Sequence, residues 1–188
     1  MRVFNPFAAL RGQSITLTTT RRFSSSPRVL AKNRVYPSRI RNPSELDTLI
    51  LMSSSTRMPL LTLWTTTWDP STPQTSEILK SLIEDERTGE DKGGVSFAEV
   101  EMDSPDLGGV SGVGMERYRI DKVPTLIAFD RGEAQVATKV VDLVALGSRE
   151  FLREWIEREA ARHGEGGAGG GGEGRKHLFG GNWMQRLF

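Results

Sequence analysis

Apolar residues in the middle of the chain fall into four short runs that predict β-strands. The predicted strands cover residues 60–64, 95–103, 123–129 and 134–141. The last two flank a turn at 130–133, so they are expected to form a hairpin. None of the apolar runs approaches the roughly 18 residues that a membrane-spanning helix needs, so no transmembrane segment is expected.

Apolar residues at helical spacing predict helices before, between and after these strands. The second helix is expected to reach about residue 86 and the last about residue 162, with a short helical piece at 115–119. The expected N-terminal caps are Ser44 with Asp47, then Asp69 with Pro70 or Ser71 with Gln74, and finally Ser148. The order is therefore helix, strand, helix, strand, helix, hairpin, helix. It predicts an α/β fold with a mixed central sheet and helices on both faces.

The absence of cysteine removes several kinds of chemistry. None of the 188 residues is a cysteine, which excludes disulfides, thiolate metal sites and cysteine nucleophiles within this sequence. His163 and His177 are the only histidines, and both lie at or beyond the end of the predicted domain. This placement argues against a histidine-based catalytic triad and against a site with several histidine ligands.

Four carboxylates cluster in and after the predicted strand 95–103. They are Glu99, Glu101, Asp103 and Asp106. Carboxylate oxygens are the ligands that calcium and magnesium prefer. The alternation of acidic and apolar residues is more typical of a strand whose acidic face lies in solvent, and that is the interpretation we favour. No metal or other cofactor is expected.

Charge is distributed unevenly along the chain. Residues 1–44 contain eight Arg, one Lys and no acidic residue, whereas residues 45–188 contain 16 basic and 24 acidic residues. An N-terminal segment rich in Arg and hydroxyl residues and free of acids is typical of a mitochondrial transit peptide. A retained basic arm that binds nucleic acid or anionic lipid is the alternative. Removal of residues 1–23 would leave 21 basic and 24 acidic residues, so no nucleic-acid partner is expected.

These patterns divide the chain into five segments. Residues 1–23, or alternatively residues up to about 31, are expected to be the transit peptide, which places the protein in the mitochondrial matrix. A disordered basic linker at 24–42 and a folded domain at 43–163 follow. Residues 164–174 contain eight Gly and predict a flexible linker. Residues 175–188 form a C-terminal segment with apolar and basic character.

The C-terminal segment is unusually apolar for a region that follows a Gly-rich linker. Its six large apolar residues are Leu178, Phe179, Trp183, Met184, Leu187 and Phe188. Disordered regions normally contain few such residues, because exposing them to water is unfavourable. We expect these residues to dock on a protein partner or a membrane surface; packing against the chain's own domain is the alternative.

Several local strings of the predicted domain resemble the thioredoxin family. The strand-to-helix junction at which thioredoxins carry Trp-Cys-Gly-Pro-Cys has here Trp68, Asp69, Pro70, Ser71 and Thr72. Val123, Pro124 and Thr125 match the start of a strand whose proline is cis in that family. Arg131, Gly132 and Glu133 match the family's hairpin turn. The resemblance extends over roughly residues 44–162 and implies a thioredoxin-like fold.

The departures from the family pattern bear on function. Asp69 and Thr72 occupy the positions of the two catalytic cysteines, and Thr62 and Leu63 lie where many thioredoxins have a buried acid. The resemblance therefore implies a non-catalytic protein, not an enzyme, that acts as an adaptor or structural subunit in mitochondria and binds protein or peptide partners. The alternative is a thioredoxin-fold enzyme or glutathione-type ligand binder that uses Ser71 or Thr72 instead of cysteine.

The family's peptide-binding surface maps onto particular positions of this chain. The resemblance implies that an extended peptide pairs with the backbone before the cis proline, in contact with Trp68, Val123, Pro124 and Thr125. A purely structural interpretation is equally open at this point: Pro124 completes the fold, and Trp68 covers the end of the helix.

Overall fold

The computed structural model describes residues 32–109 and 112–164, with side chains described up to residue 162. Five strands and five α-helices make up this part of the chain. The strands are β1 (Arg34–Val35), β2 (Leu60–Thr65), β3 (Ser96–Glu101), β4 (Thr125–Asp130) and β5 (Glu133–Ala134). The helices are α1 (Pro43–Thr56), α2 (Thr72–Lys80), α3 (Val113–Tyr118), α4 (Leu143–Gly147) and α5 (Arg149–Gly164).

The strands form one mixed sheet in the order β1-β3-β2-β4-β5. Strands β1 and β2 run parallel to β3, whereas β4 runs antiparallel to β2 and β5 antiparallel to β4. The parallel pair is joined through α2, and the antiparallel pair β4–β5 is the predicted hairpin. The α/β prediction with a mixed sheet is therefore confirmed.

Helices cover both faces of the sheet, as the sequence predicts. Buried apolar residues of α2, α4 and α5 pack on one face against Leu61, Leu63 and Phe97. Those of α1 and α3 pack on the other against Leu60 and Trp64. Alternate residues of β2 thus enter opposite cores, because successive side chains of a strand point to opposite faces.

The helix boundaries differ from the prediction mainly at the N-terminal caps. Helix α1 is capped by Asn42, whose side-chain oxygen accepts the N–H of Glu45 at 2.8 Å, and not by Ser44. Pro43 supplies the first helical residue, a position where its missing N–H costs nothing. Helix α2 begins at Thr72 and continues as a π-helical turn (Ser81–Asp85). Ser148 precedes α5, and its hydroxyl accepts the N–H of Phe151 at 3.4 Å, as predicted.

The Gly-rich stretch after β3 is partly helical. A 3-10 turn (Pro105–Leu107) follows β3, and α3 begins at Val113. Gly114 lies against the buried ring of Trp64: a Cβ at this position would be 2.9 Å from Cζ3 of Trp64. The glycine therefore allows α3 to approach the core closely. The final predicted strand is shorter than expected, since β5 has two residues and a 3-10 turn (Val136–Thr138) follows it.

The predicted disordered linker at 24–42 is wrong for the part of it that the structure describes. Strand β1 pairs with β3, and Ile40, which forms a further bridge with Val100, is fully buried. The Asn33 amide group donates to the carbonyl oxygens of Ile83 and Thr88. We call residues 32–42 the arm. The arm belongs to the folded domain because its backbone pairs with β3, a strand that is distant in the sequence. Local sequence patterns do not indicate this pairing.

Candidate functional site

A carboxylate surrounded by hydroxyl groups lies in the loop between β2 and α2. Oδ1 of Asp69 accepts the backbone N–H of Ser71 at 3.1 Å and the Ser71 hydroxyl at 2.8 Å. Oδ2 of Asp69 accepts the Thr72 hydroxyl at 2.6 Å. Asp69 thus stabilises the turn that precedes α2. Ser71 is the N-cap residue of α2, as one of the two predictions has it, but its side chain makes no capping hydrogen bond. The Ser71 hydroxyl donates to Asp69 instead, so the predicted capping box with Gln74 is wrong.

These hydrogen bonds lower the pKa of Asp69. Partial burial acts to raise the pKa of Asp69, but hydrogen bonds donated by Thr72 and Ser71 outweigh it and hold the pKa below its usual value. A carboxylate with a lowered pKa is a weak general base. The two hydroxyl groups therefore donate to a group that is poorly suited to take their protons.

Replacement of Asp69 by Ala should destabilise the fold. The Ser71 N–H and two hydroxyl groups would lose their acceptor, so we expect the free energy of unfolding to fall by about 0.5–2 kcal/mol. Asp69→Asn keeps an acceptor oxygen and should lose less. Urea unfolding of both variants measures the difference, and equal midpoints for Asp69→Ala and the parent chain would show that the carboxylate has no capping role.

A second carboxylate ties the same loop to the end of β3. Asp103 accepts the Thr67 N–H at 3.1 Å and the Thr67 hydroxyl at 2.6 Å. The pKa of Asp103 is lowered: burial acts to raise it, and the hydrogen bonds from Thr67 outweigh that effect. Trp68 therefore lies between two anchored residues. Thr67 donates to the Asp103 carboxylate, and Asp69 accepts hydrogen bonds from Ser71 and Thr72.

Trp68 itself is exposed. Its side chain is 67% accessible to solvent, in contrast to Trp64 and Trp155, which are buried. An indole is among the most costly side chains to leave in water, and exposed aromatic residues are enriched at interaction sites. Most of the Trp68 surface is therefore left uncovered by the described residues.

The start of β4 lies beside this loop. Trp64 is paired with Thr125, so the antiparallel register places the residues after β2 next to Val123 and Pro124. Pro124 is buried and the peptide bond between Val123 and Pro124 is cis. The Thr125 hydroxyl donates to the carbonyl oxygen of Lys122 at 2.6 Å, which fixes the backbone that leads into the proline.

The backbone of Val123 is available for pairing. Within the described ranges, neither its N–H nor its C=O forms a hydrogen bond, and the residue is half-buried. A backbone donor and acceptor on one half-exposed residue is the arrangement that an extended peptide requires for strand addition. Of the predicted contact residues, Trp68 is exposed and Val123 is half-buried, whereas Pro124 and Thr125 are both buried.

Val141 is a neighbour of this site that the sequence alone did not single out. Val140 pairs with Leu126 in an isolated antiparallel bridge, so the register places Val141 beside Thr125 and Asp142 beside Pro124. Only this pairing brings residues 141–144, at the start of α4, to the site. We call the surface formed by Trp68, Val123 and Val141, beside the buried Pro124, the Trp68 face.

The acidic strand β3 is not solvent-exposed on its acidic side, contrary to the prediction. Glu99 is 5% exposed, and its carboxylate contacts Arg39 Nε at 2.9 Å, Lys80 Nζ at 2.6 Å and the Ser76 hydroxyl. Glu101 is also buried and pairs with Arg41 at 3.1 Å. The Glu side chains can be buried because cations from the arm and from α2 pair with them.

The described residues contain no cluster of three or more groups that could ligate a metal ion. Nor is any helix in the ranges 32–109 and 112–164 long and apolar enough to cross a membrane. The predicted docking residues of the C-terminal segment, 175–188, and the predicted transit peptide lie outside the described residues.

Solved structures of thioredoxins share this architecture. A mutant of poplar thioredoxin h has a TM-score of 0.50 at 17% identity, over 69% of this chain and 84% of its own. Thioredoxin O1 from Arabidopsis thaliana has a TM-score of 0.48 at 17% identity, over 67% of this chain and 97% of its own. Fasciola hepatica thioredoxin has the same TM-score and identity, over 67% and 98%.

Sequence comparison adds nothing to these structural matches: no protein-family model and no curated protein sequence matches the chain. At such low identity the structural similarity establishes the fold alone. The fold is thioredoxin-like, and since the sequence contains no cysteine, the chain cannot carry out thiol–disulfide exchange with its own side chains.

Proposed function

We propose that this chain is a non-catalytic adaptor of the mitochondrial matrix that binds an extended segment of a partner protein at the Trp68 face. The observation that carries the proposal is the unused backbone N–H and C=O of Val123 beside an exposed Trp68. Backbone pairing supplies affinity without regard to sequence, and Trp68 supplies apolar contact area. This binding mode requires no catalytic group.

The alternative, an enzyme or glutathione-type ligand binder that uses Ser71 or Thr72, has less support. Either hydroxyl would have to act on the ligand, and both donate to Asp69. The N-terminus of α2 also lies next to the Asp69 carboxylate, so a ligand thiolate there would meet a like charge. We therefore favour the adaptor.

Replacement of Trp68 by Ala should weaken partner binding strongly without unfolding the domain. Truncation of a hot-spot tryptophan costs about 2 kcal/mol or more, so we expect the affinity for the partner to fall by about 30-fold. The matched control is Leu51→Ala, which removes an equally exposed apolar side chain from α1. Both variants should keep the parent melting midpoint.

The measurement begins with tagged full-length chain purified from isolated mitochondria. Peptides tiled over each co-purified protein are then titrated against the purified chain. One peptide that binds the parent and Leu51→Ala but not Trp68→Ala is the expected result. Equal binding by Trp68→Ala would overturn the assignment of the site. A chain lacking residues 1–23 should stay outside mitochondria, and its import would overturn the assigned compartment.

A further inference from the structure

Three carboxylates border the Trp68 face. Asp69 and Asp103 flank Trp68 through the loop contacts described above, and Asp142 lies beside Pro124 in the β4 register. Asp142 accepts the N–H of Val144 at 3.0 Å, where it caps α4. Each carboxylate accepts only hydrogen bonds from neutral donors, and none is within ion-pair distance of a cation in the described residues.

The border therefore carries net negative charge. Arg39 lowers the pKa of Asp103 from beyond ion-pair distance, and its ion pair is with Glu99. The exposed Lys122, which precedes Val123, opposes the three carboxylates with one positive charge. A ligand with cationic side chains would be attracted here, and an acidic one repelled.

The surface inside this border is apolar. Next to Trp68 and Val141, the start of α4 exposes Leu143 and Val144, the latter 72% accessible to solvent. Exposed apolar residues that adjoin one another and are rimmed by charge are characteristic of interaction sites. The occupant that fits is an extended segment with large apolar residues, Arg or Lys, and no acid.

The C-terminal segment 175–188 has this composition. It contains Arg175, Lys176, Arg186 and six large apolar residues, and no Asp or Glu. Charge and apolar character are thus complementary between the segment and the Trp68 face. The segment is also covalently attached, which raises its effective concentration at any site that it can reach.

The linker is long enough for the segment to reach the face. Helix α5 ends beside the start of β3: Lys92 pairs with Glu157 at 2.6 Å, and a Cβ on Gly89 would be 2.9 Å from that of Ala160. The Trp68 face lies at the other end of β3, about 20 Å away for six residues of strand. Eleven Gly-rich residues span about 17–20 Å on average and up to about 36 Å when extended.

We propose that residues 175–188 occupy the Trp68 face of their own chain in the absence of a partner, so that partner and segment compete for one site. This inference rests on the proposed function of the face as a peptide-binding site. It also gives the segment a binding surface on its own domain, in addition to any contact with a partner.

Cysteines introduced into the full-length chain test this directly, because the sequence provides no competing thiol. Val141→Cys with Asn182→Cys places one thiol on the face and one in the segment. The matched control is Leu51→Cys with Asn182→Cys, which places the first thiol on exposed α1 instead. Disulfide formation is followed in dilute solution with oxidised glutathione supplied. The rate of disulfide formation is divided by the rate at which the cysteine at position 141 or 51 reacts with a small thiol-reactive compound.

We expect the face pair to form an intramolecular disulfide at least about tenfold faster than the control pair. The triple change Arg175→Glu, Lys176→Glu and Arg186→Glu should bring the face pair down to the control rate. Equal rates for the two pairs would overturn the proposal. Disulfide-linked dimers whose formation depends on concentration would also overturn it, by assigning the face to the segment of a second copy. The peptide titration with Trp68→Ala tests the face independently of the segment.

Discussion

A chain that begins at Asn42 should be severely destabilised compared with one that begins at Lys32. Deletion of residues 32–41 removes β1 and the fully buried Ile40, whose burial alone stabilises by about 1.5–3 kcal/mol. It also strips Glu99 and Glu101 of Arg39 and Arg41. We expect the free energy of unfolding to fall by at least about 4 kcal/mol, a large part of the 5–15 kcal/mol typical of a domain.

Urea unfolding of the two chains measures this difference. Both lack residues 1–31, and both keep Asn42, so the cap of α1 is the same in each. If the two urea midpoints agreed within error, the arm would be dispensable for stability, and the prediction of a disordered linker would stand. The expected result requires any cleavage of the transit peptide to occur before Asn33, in agreement with the predicted sites near residues 24 and 31.

The central strands could be predicted because their signal is local. The run from Leu60 to Trp64 is apolar on both faces, as is typical of a strand buried between two layers of helices. Helix α2 has its apolar residues at helical spacing, and Asp69 and the neighbouring hydroxyls indicated its start. Its first residue was left open between two positions, because Asp69 and Ser71 were both acceptable caps by residue type; the structure has Ser71 at the N-cap.

The arm and the buried glutamates could not be predicted because their partners are distant in the sequence. Arg39 and Glu99 are separated by 60 residues, and nothing near either residue indicates the pairing. An acidic residue on a strand is normally solvent-exposed, so the local rule gave the wrong face. A strand of two residues such as β1 is likewise too short to give a pattern.

The candidate site was predicted in part. The positions of Trp68, Val123 and Pro124 came from the resemblance to thioredoxins, and the register of β2 with β4 places Val123 and Pro124 beside the loop that carries Trp68. The roles of Val141 and Asp142 depend on the bridge between Leu126 and Val140, which lies beyond the regular part of β5. The hydroxyls of Ser71 and Thr72 looked like candidate reactive groups in the sequence, and only their geometry shows that both donate to Asp69.

Removal of the two cations that pair with the buried Glu99 carboxylate should destabilise the domain strongly, by an amount that depends on pH. Its two cationic partners are each about 40% exposed, Arg39 at 40% and Lys80 at 39% of the side chain. Arg39→Met with Lys80→Met leaves the buried carboxylate with only the Ser76 hydroxyl. Breaking a buried ion pair costs about 3–5 kcal/mol; because these cations are partly solvated, we expect about 2–3 kcal/mol at pH 7.

The sign of the pH effect follows from the pKa of Glu99 in each protein. Burial acts to raise this pKa, but hydrogen bonds from Lys80, Ser76 and Arg39 outweigh it, so it lies below the usual value of about 4.5. In the parent chain the pairing therefore stabilises above pH 4.5, and this stabilisation is lost as the pH falls through the lowered pKa. In the double variant, burial without cations raises the pKa, so protonation relieves the destabilisation as the pH falls towards 4.

The gap in unfolding free energy between parent and double variant should therefore shrink from pH 7 to pH 4. Urea unfolding at several pH values measures it, and the same two Met substitutions in a Glu99→Gln background are the control. Without the Glu99 carboxylate, the two Met substitutions should lower the free energy of unfolding by less than about 1 kcal/mol at every pH, as is typical for the loss of solvent-exposed charges. An equal cost in the two backgrounds would mean that Arg39 and Lys80 stabilise the sheet through their aliphatic stems and not by neutralising Glu99.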